Sequence, residues 1–470
     1  MSPSPGSPTR RHDATRHRHI VLLRSAAPLR SAQSLSSTGR RLPTAPARAR
    51  LRVIAVFLGM LTAALAAANV ATAAPTAPPP VSILTSQPGF AHGEDIFITP
   101  TGDSTTYANG PEILDDRGNT LWFQAIPQGQ TAADFRVQRL DGQPVLTWWQ
   151  GTGLGSLASG TDYIYNTHYR QIATVNAGNG LSADGHEFLI TPWNTALILS
   201  YTTATADLTS IGGPSNQTVI DGVVQEIDIA TGKVLFQWNS QDHVPFSQSE
   251  QPLPSSPSTP WDWFHINAVH LDTDGNLLVD ARNTWTTYKV GSFDGHIIWQ
   301  LGGKHSSFTL QAAPGQTLDS AERIFAWQHD PEALGNGYYT FFDNESSGTP
   351  LLPYSRAVTV RLDPWRRVAT LVASDVQPET LSAPSQGNAQ TTRAGDLFIG
   401  WGSLPYFSEF DRTGNLLFNA EFPAGVNTYR AYLLPWPGGR TAGGYGRGGG
   451  RPPWGPAYGH DLGGGHGRRS

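Results

Sequence analysis

Residues 267–283, NAVHLDTDGNLLVDARN, and residues 288–301, YKVGSFDGHIIWQL, are two successive β-hairpin patterns, and they decide the fold. In each, a run of apolar, β-branched and aromatic residues reaches an Asp-Gly turn and is followed by a second such run. The first hairpin ends in polar residues, whereas the second ends just after a tryptophan. Because the two types alternate along the chain, the pair is a repeat unit rather than an isolated motif.

Six copies of each hairpin can be traced. The type that ends near Trp or Phe recurs at Glu112–Gln124, Val223–Trp238, Tyr288–Leu301 and Phe407–Phe418, with weaker copies at Tyr163–Val175 and Val358–Val372. The other type recurs at Phe135–Trp149, His186–Tyr201, Asn267–Asn283, Glu332–Asn344 and Ala389–Gly402, with a sixth copy assembled from Asp95–Pro100 and the C-terminal strand Tyr429–Leu434. Six four-stranded units closed by the chain ends predict an all-β, six-bladed β-propeller, which leaves no long edge strand exposed. A β-sandwich with long loops is the alternative, but it does not explain the alternation.

Composition divides the 470-residue chain into three parts. Residues 1–74 form an arginine-rich leader with a secretory signal, residues 75–437 the propeller, and residues 438–470 a Gly/Arg/Pro-rich tail with too little apolar side chain to fold. The leader and the tail hold half of the 32 basic residues, so the body has 16 basic and 35 acidic residues. A body this acidic repels phosphate backbones, which argues against a nucleic-acid partner.

The segment 48–74 has the three parts of a secretory signal. Arg48, Arg50 and Arg52 precede the apolar run Val53–Leu65, and the sequence 71–73, Ala-Thr-Ala, fits a cleavage site. The sequence therefore predicts a secreted or extracytoplasmic protein that contacts a membrane only if this segment is retained as an anchor. The absence of cysteine excludes disulfides and thiolate chemistry.

The hairpin register gathers polar residues at one end of the propeller. Each of three histidines stands just before the first strand of a hairpin, an even number of residues before its turn: His186 before Asn194, His265 before Gly275 and His329 before Gly337. Seven residues beyond these three turns lie Tyr201, Arg282 and Asn344. Since an antiparallel hairpin returns to the level at which it began, these side chains are expected at one mouth of the central channel.

This set of residues suits nucleophilic transfer of an anionic group. Neutral imidazole is a nucleophile near neutral pH, Arg282 offers a fork of donors for a tetraoxo anion, and Asn267 offers an amide. A metal site built from the three histidines is an alternative, but Arg282 would repel the metal. The sequence predicts no cofactor and no metal, and it contains no phosphate-binding loop and no serine-hydrolase elbow.

The same segments resemble the bacterial arylsulfotransferase family over about residues 85–436. The resemblance is densest in ADGHEF at 183–188, DWFHIN at 262–267, DARN at 280–283, WQLGGK at 299–304 and WQHD at 327–330. It implies an exported six-bladed propeller that moves a sulfuryl group from a phenolic sulfate ester to a phenol, through a sulfohistidine and without an adenylyl sulfate donor. The best-known members carry a disulfide that this cysteine-free chain cannot form.

Carried over position by position, the resemblance assigns candidate roles. His329 is the expected nucleophile; His265, Asn267 and Arg282 are expected to hold the sulfuryl oxygens; and His186 is a further active-site histidine. Asn344 and Gln328 are expected to contact substrate. An aryl sulfatase, a non-catalytic binding propeller and a metal-dependent hydrolase on the same site are the alternative functions.

Overall fold

Six small sheets, antiparallel except for one outer strand, form the body, which a computed structural model describes over residues 75–345 and 351–438. From the innermost strand outward, blade 1 contains β26 (Asn427–Leu434), β2 (Asp95–Thr101), β3 (Glu112–Leu114) and β4 (Thr120–Phe123). Blade 2 contains β5 (Thr131–Leu140), β6 (Gln143–Thr152), β7 (Ser159–Tyr165) and β8 (Gln171–Val175). Blade 3 contains β9 (Phe188–Ile190), β10 (Thr195–Ala206), β11 (Gln217–Asp228) and β12 (Val234–Asn239).

The remaining blades follow the same plan. Blade 4 contains β13 (Ile266–Leu271), β14 (Leu277–Ala281), β15 (Thr286–Val290) and β16 (Ile297–Gly302). Blade 5 contains β18 (His329–Gly335), β19 (Tyr338–Asp343), β20 (Arg356–Asp363), β21 (Val368–Val376) and an outer fifth strand, β17 (Thr309–Ala312). Blade 6 contains β22 (Asn388–Thr391), β23 (Leu397–Gly400), β24 (Tyr406–Phe410), β25 (Leu416–Glu421) and an outer fifth strand, β1 (Ser82–Ser86). Short helical turns lie between strands at Thr209–Ile211, Ser240–His243, Phe246–Gln248 and Arg282–Thr284.

The prediction of a six-bladed β-propeller is confirmed, including its closure. β26, the last strand, pairs antiparallel with β2 near the beginning of the body. The chain ends are joined a second time, because β1 pairs with the outermost strand of blade 6, β25. Both contacts cover strand edges that would otherwise be exposed.

Large aromatic side chains fill the spaces between neighbouring blades. Trp149 of blade 2 is fully buried and donates its indole N–H to the Ala183 carbonyl in the segment that leads to blade 3, at 3.0 Å. A Cβ atom on Gly160 would lie 2.4 Å from the Trp149 ring, so glycine is required there. Buried aromatics of this size stabilise a fold by about 3–5 kcal/mol relative to alanine, and they fix the blade positions.

A layer of buried charged side chains crosses the channel. Arg430 of blade 1 places Nη1 at 3.0 Å from Glu187, 3.2 Å from Asp134 and 3.3 Å from Asp330. His270 of blade 4 places Nε2 at 3.1 Å from Glu187 and 3.3 Å from Asp330. Burial opposes the charge of His270, but the Glu187 and Asp330 carboxylates raise its pKa to about 10. We call these five residues, together with Arg136, the ionic layer.

The secretory signal predicted at 48–74, with its apolar run at 53–65, lies outside the described residues, as do the rest of the leader and the tail from residue 439. Among the described residues, no helix has the length and apolar character needed to cross a bilayer.

Candidate active site

The three predicted histidines stand where the innermost strands of three consecutive blades begin. His186 lies two residues before β9, His265 lies immediately before β13, and His329 is the first residue of β18. The rings of His186 and His265 are nearly perpendicular, with centroids 5.2 Å apart. Both imidazoles also act electrostatically on His329, so the three share one site.

Asn344 fixes the tautomer of His329. The asparagine Nδ2 donates to the carbonyls of Ala383, at 2.9 Å, and Gln386, at 3.0 Å. Its Oδ1 must therefore be the atom that lies 2.6 Å from Nδ1 of His329, and it accepts a hydrogen bond there. The proton of the neutral imidazole is consequently on Nδ1, which leaves the lone pair on Nε2.

His329 is almost entirely buried and is held in its neutral form. Burial, together with the positive charge of Arg282, keeps its pKa well below 6.5. The Gln386 backbone N–H lies 3.2 Å from Nε2, where it can donate to the lone pair. This hydrogen bond agrees with the tautomer set by Asn344, and its length makes it a weak restraint on a nucleophile.

Arg282 occupies the predicted level of the site. Its backbone N–H donates to the His265 carbonyl at 3.0 Å, as expected for two residues at the same end of one hairpin. Its guanidinium donates to Asn283 Oδ1 at 3.0 Å and to the Pro384 carbonyl at 2.9 Å. Burial lowers the pKa of Arg282 to about 10, so the group remains positive at neutral pH.

Each of the other two histidines is paired with a carboxylate that precedes it closely in the sequence. Nδ1 of His186 contacts Asp184, and Nδ1 of His265 lies 2.5 Å from Asp262 Oδ2. A carboxylate at this position holds the proton on Nδ1 and stabilises the imidazolium form. In both pairs Nε2 is left as the nitrogen that can meet a substrate.

Two of the three predicted amide residues, Asn267 and Gln328, donate their side-chain hydrogen bonds to groups other than His329. Asn267 donates from Nδ2 to the Gln328 carbonyl at 2.7 Å, and it therefore braces the backbone that leads into His329. The Gln328 side chain donates to Asp280 at 2.9 Å, on the other side of the strand from His329. Both side chains are fully buried.

Sequence reasoning missed several residues of the site. Asp184 and Asp262 had a usable signal, because each stands two or three residues before a site histidine. Hairpin register alone predicts Tyr201 at this mouth of the channel, and no sequence pattern predicts Tyr429 there. The ring centroids of these tyrosines lie 6.1 Å and 5.9 Å from that of His186. Tyr429 also donates its hydroxyl to the His186 carbonyl at 3.0 Å, which ties blade 1 to the site.

The grouping most able to hold a metal ion within the described residues is not the three histidines but Glu187, His270 and Asp330 of the ionic layer. These residues do not suit a metal, because Arg430 Nη1 already lies at 3.0 Å and 3.3 Å from the same two carboxylates. To bind here, a divalent ion would have to remove the proton from His270 and displace the guanidinium of Arg430.

Comparison with known proteins agrees with this geometry. The arylsulfotransferase (ASST) family model matches residues 136–423, which is more than half of the chain. No curated protein matches. A protein of unknown function from Bacteroides caccae is 12% identical, with a TM-score of 0.42 over 72% of this chain and 98% of its own. A putative 6-phosphogluconolactonase from Bacteroides uniformis is also 12% identical, with a TM-score of 0.38 over 73% of this chain and 98% of its own. These scores are too low to support an inference about function. The family match covers most of blade 2, all of blades 3 to 5, four strands of blade 6 and every predicted site residue. The chain belongs to the arylsulfotransferase family.

Proposed function

We propose that this protein is an aryl sulfate:phenol sulfotransferase in which His329 carries the sulfuryl group between donor and acceptor. The observation that carries the proposal is the state of His329: a neutral imidazole whose proton is held on Nδ1 by Asn344. The lone pair on Nε2, which accepts only the 3.2 Å hydrogen bond from the Gln386 N–H among the described contacts, is the one that a nucleophile needs. Arg282, with its positive charge beside this imidazole, complements the negative oxygens of a sulfuryl group.

Transfer then takes place in two halves. Nε2 of His329 attacks sulfur, the bond from sulfur to the aryl oxygen breaks, and its electron pair leaves with that oxygen. An incoming phenol oxygen attacks the sulfur of the sulfohistidine, and the N–S pair returns to Nε2. The Gln386 N–H must release Nε2 in the first half, and it then lies next to the new N–S bond, where it can donate to a sulfuryl oxygen.

The proposal extends to the setting of the enzyme. Its partners are a small phenolic sulfate donor and a phenol acceptor, and it requires no cofactor. The chain is secreted through the signal near residues 48–74, residues 75–437 form the catalytic propeller, and the tail has no catalytic part.

The test measures release of 4-nitrophenol from 4-nitrophenyl sulfate by the full-length protein, with and without added phenol. We expect phenol to raise the rate of 4-nitrophenol release and phenyl sulfate to appear as the product. The H329A variant should neither release 4-nitrophenol nor form phenyl sulfate. The matched control is H243A, because His243 stacks on Trp238 in blade 3 and has no part in the site. Release that does not depend on phenol would indicate a sulfatase. Unaltered transfer by H329A would refute the proposal, and no release from any aryl sulfate would favour a binding propeller.

A further inference from the structure

We infer that Asp262 is a positioning residue that makes His265 the group that exchanges a proton with the phenolic oxygen. This inference rests on the proposed sulfuryl transfer. It assigns separate roles to the two carboxylate–histidine pairs of the site, Asp262–His265 and Asp184–His186. The sequence had assigned His265 only to holding the sulfuryl oxygens, and it had given Asp262 no role.

The two pairs differ in their access to solvent. The side chains of His186 and Asp184 are 5% and 0% exposed, whereas those of His265 and Asp262 are 15% and 23% exposed. The phenols enter and leave from solvent, while the sulfuryl group stays deep against the buried His329. The outer pair is therefore the one placed at the aryl oxygen, and the inner pair lies beside the sulfuryl group.

Asp262 is held rigidly in a unit that also includes Arg282. Asn283 donates from Nδ2 to the Asp262 carbonyl at 2.6 Å, and its Oδ1 accepts from Arg282 at 3.0 Å. The His265 carbonyl accepts from the Arg282 backbone N–H at 3.0 Å. His265 itself has a positive φ of 52°, a conformation uncommon outside glycine that the surrounding structure must maintain. The segments at the two ends of the β13–β14 hairpin thus hold the imidazole, its carboxylate and the anion-binding guanidinium together.

Asp262 is ionised and therefore able to support a positive imidazole. Burial alone would raise the pKa of Asp262, but the interaction with His265 and hydrogen bonds lower it below its ordinary value. The other charged or titratable groups that face this pair are His186, Tyr201, Arg282 and His329.

The proton balance closes without water. In the first half-reaction the S–O bond to the donor breaks, and the departing oxygen takes the proton from Nε2 of the His265 imidazolium. In the second half-reaction the acceptor phenol returns a proton to the same Nε2 as its oxygen bonds to sulfur. His265 ends the cycle as it began, with Asp262 holding the Nδ1 proton throughout.

The experiment uses the dependence of the rate on the leaving group. The D262N and D184N variants of the full-length protein are compared with wild type in single turnovers with 4-nitrophenyl sulfate and with phenyl sulfate. The 4-nitrophenolate ion is weakly basic and can leave without a proton, whereas phenolate needs one. General acid catalysis is worth about 10²–10⁴-fold, so D262N should lose about a hundredfold or more on phenyl sulfate and less than about tenfold on 4-nitrophenyl sulfate.

The ratio of the two rates is measured on one protein sample, so any loss of folded protein cancels. D184N should lower both rates by a similar factor. Equal losses by D262N on both esters, or a stronger leaving-group dependence in D184N than in D262N, would overturn the inference. If wild-type protein transfers no sulfuryl group or H329A retains transfer, the proposed function itself fails, and the two failures are thus distinguishable.

Discussion

Replacing Asn344 with alanine tests the tautomer of His329. The variant removes the 2.6 Å hydrogen bond from His329 Nδ1–H and the two bonds that Asn344 donates to backbone carbonyls. A buried hydrogen bond of this kind contributes about 1–1.5 kcal/mol net. If this hydrogen bond alone favours the Nδ1–H tautomer, its loss lowers the ratio of the two tautomers by about fivefold to tenfold, to near one, since 1.4 kcal/mol is a factor of ten. The fraction with the lone pair on Nε2 then falls to about one half.

We therefore expect N344A to lower kcat for sulfuryl transfer by about twofold with little change in KM. The matched control is N388A, because Asn388 is equally buried and exchanges two hydrogen bonds with the Ala431 backbone, but it has no contact with a site histidine. Urea unfolding should show that both variants lose stability. Wild-type kcat in N344A would refute the tautomer argument, as would an equal loss of kcat in N388A.

Three further predictions concern the ionic layer, pH and metals. The R430M variant leaves the buried carboxylates of Asp134, Glu187 and Asp330 short of a cation, and it should lower the free energy of unfolding by about 3–5 kcal/mol. R366M, which removes an exposed pair with Asp363, should lower it by less than about 1 kcal/mol, and equal losses would contradict the ionic-layer assignment. Because the pKa of His329 is well below 6.5 when folded, the unfolded chain binds more protons below that pH, so wild type should lose more stability than H329A between pH 7.5 and pH 5.5. For the same reason, the rate of transfer should not fall near pH 6.5 through protonation of His329. A fall at that pH that is traced to His329 would contradict this prediction. Chelators should leave transfer unchanged, and loss restored by added metal would revive the metal-dependent alternative.

Much of the fold was predictable because its contacts are local. Each blade is made of hairpins whose turns carry Asp-Gly or a similar signal, so strands and pairing follow from short stretches of sequence. The outer strands β1 and β17 were not predictable in this way. β17 pairs in parallel with β21, across more than fifty residues, and no turn motif marks such a contact.

The site was predictable to the extent that strand alternation holds. His329, Arg282 and Asn344 follow from hairpin register, and the structure gathers them as expected. Gln328 was expected at the substrate, but strand geometry turns adjacent side chains to opposite faces. The neighbouring residues Trp327 and Asp330 have φ values of 54° and 56°, which local sequence does not reveal. Side-chain direction at such a point depends on the surrounding blades.

The ionic layer and the active site are built in part from adjacent residues of the chain. His186 precedes Glu187, His329 precedes Asp330, and Tyr429 precedes Arg430, so in three blades one residue faces the site and the next joins the layer. The charged members of the layer are all buried, so the layer lies in the interior next to the histidines. A change in the layer should alter the positions of the histidines as well as the stability of the fold, because no flexible segment separates the two.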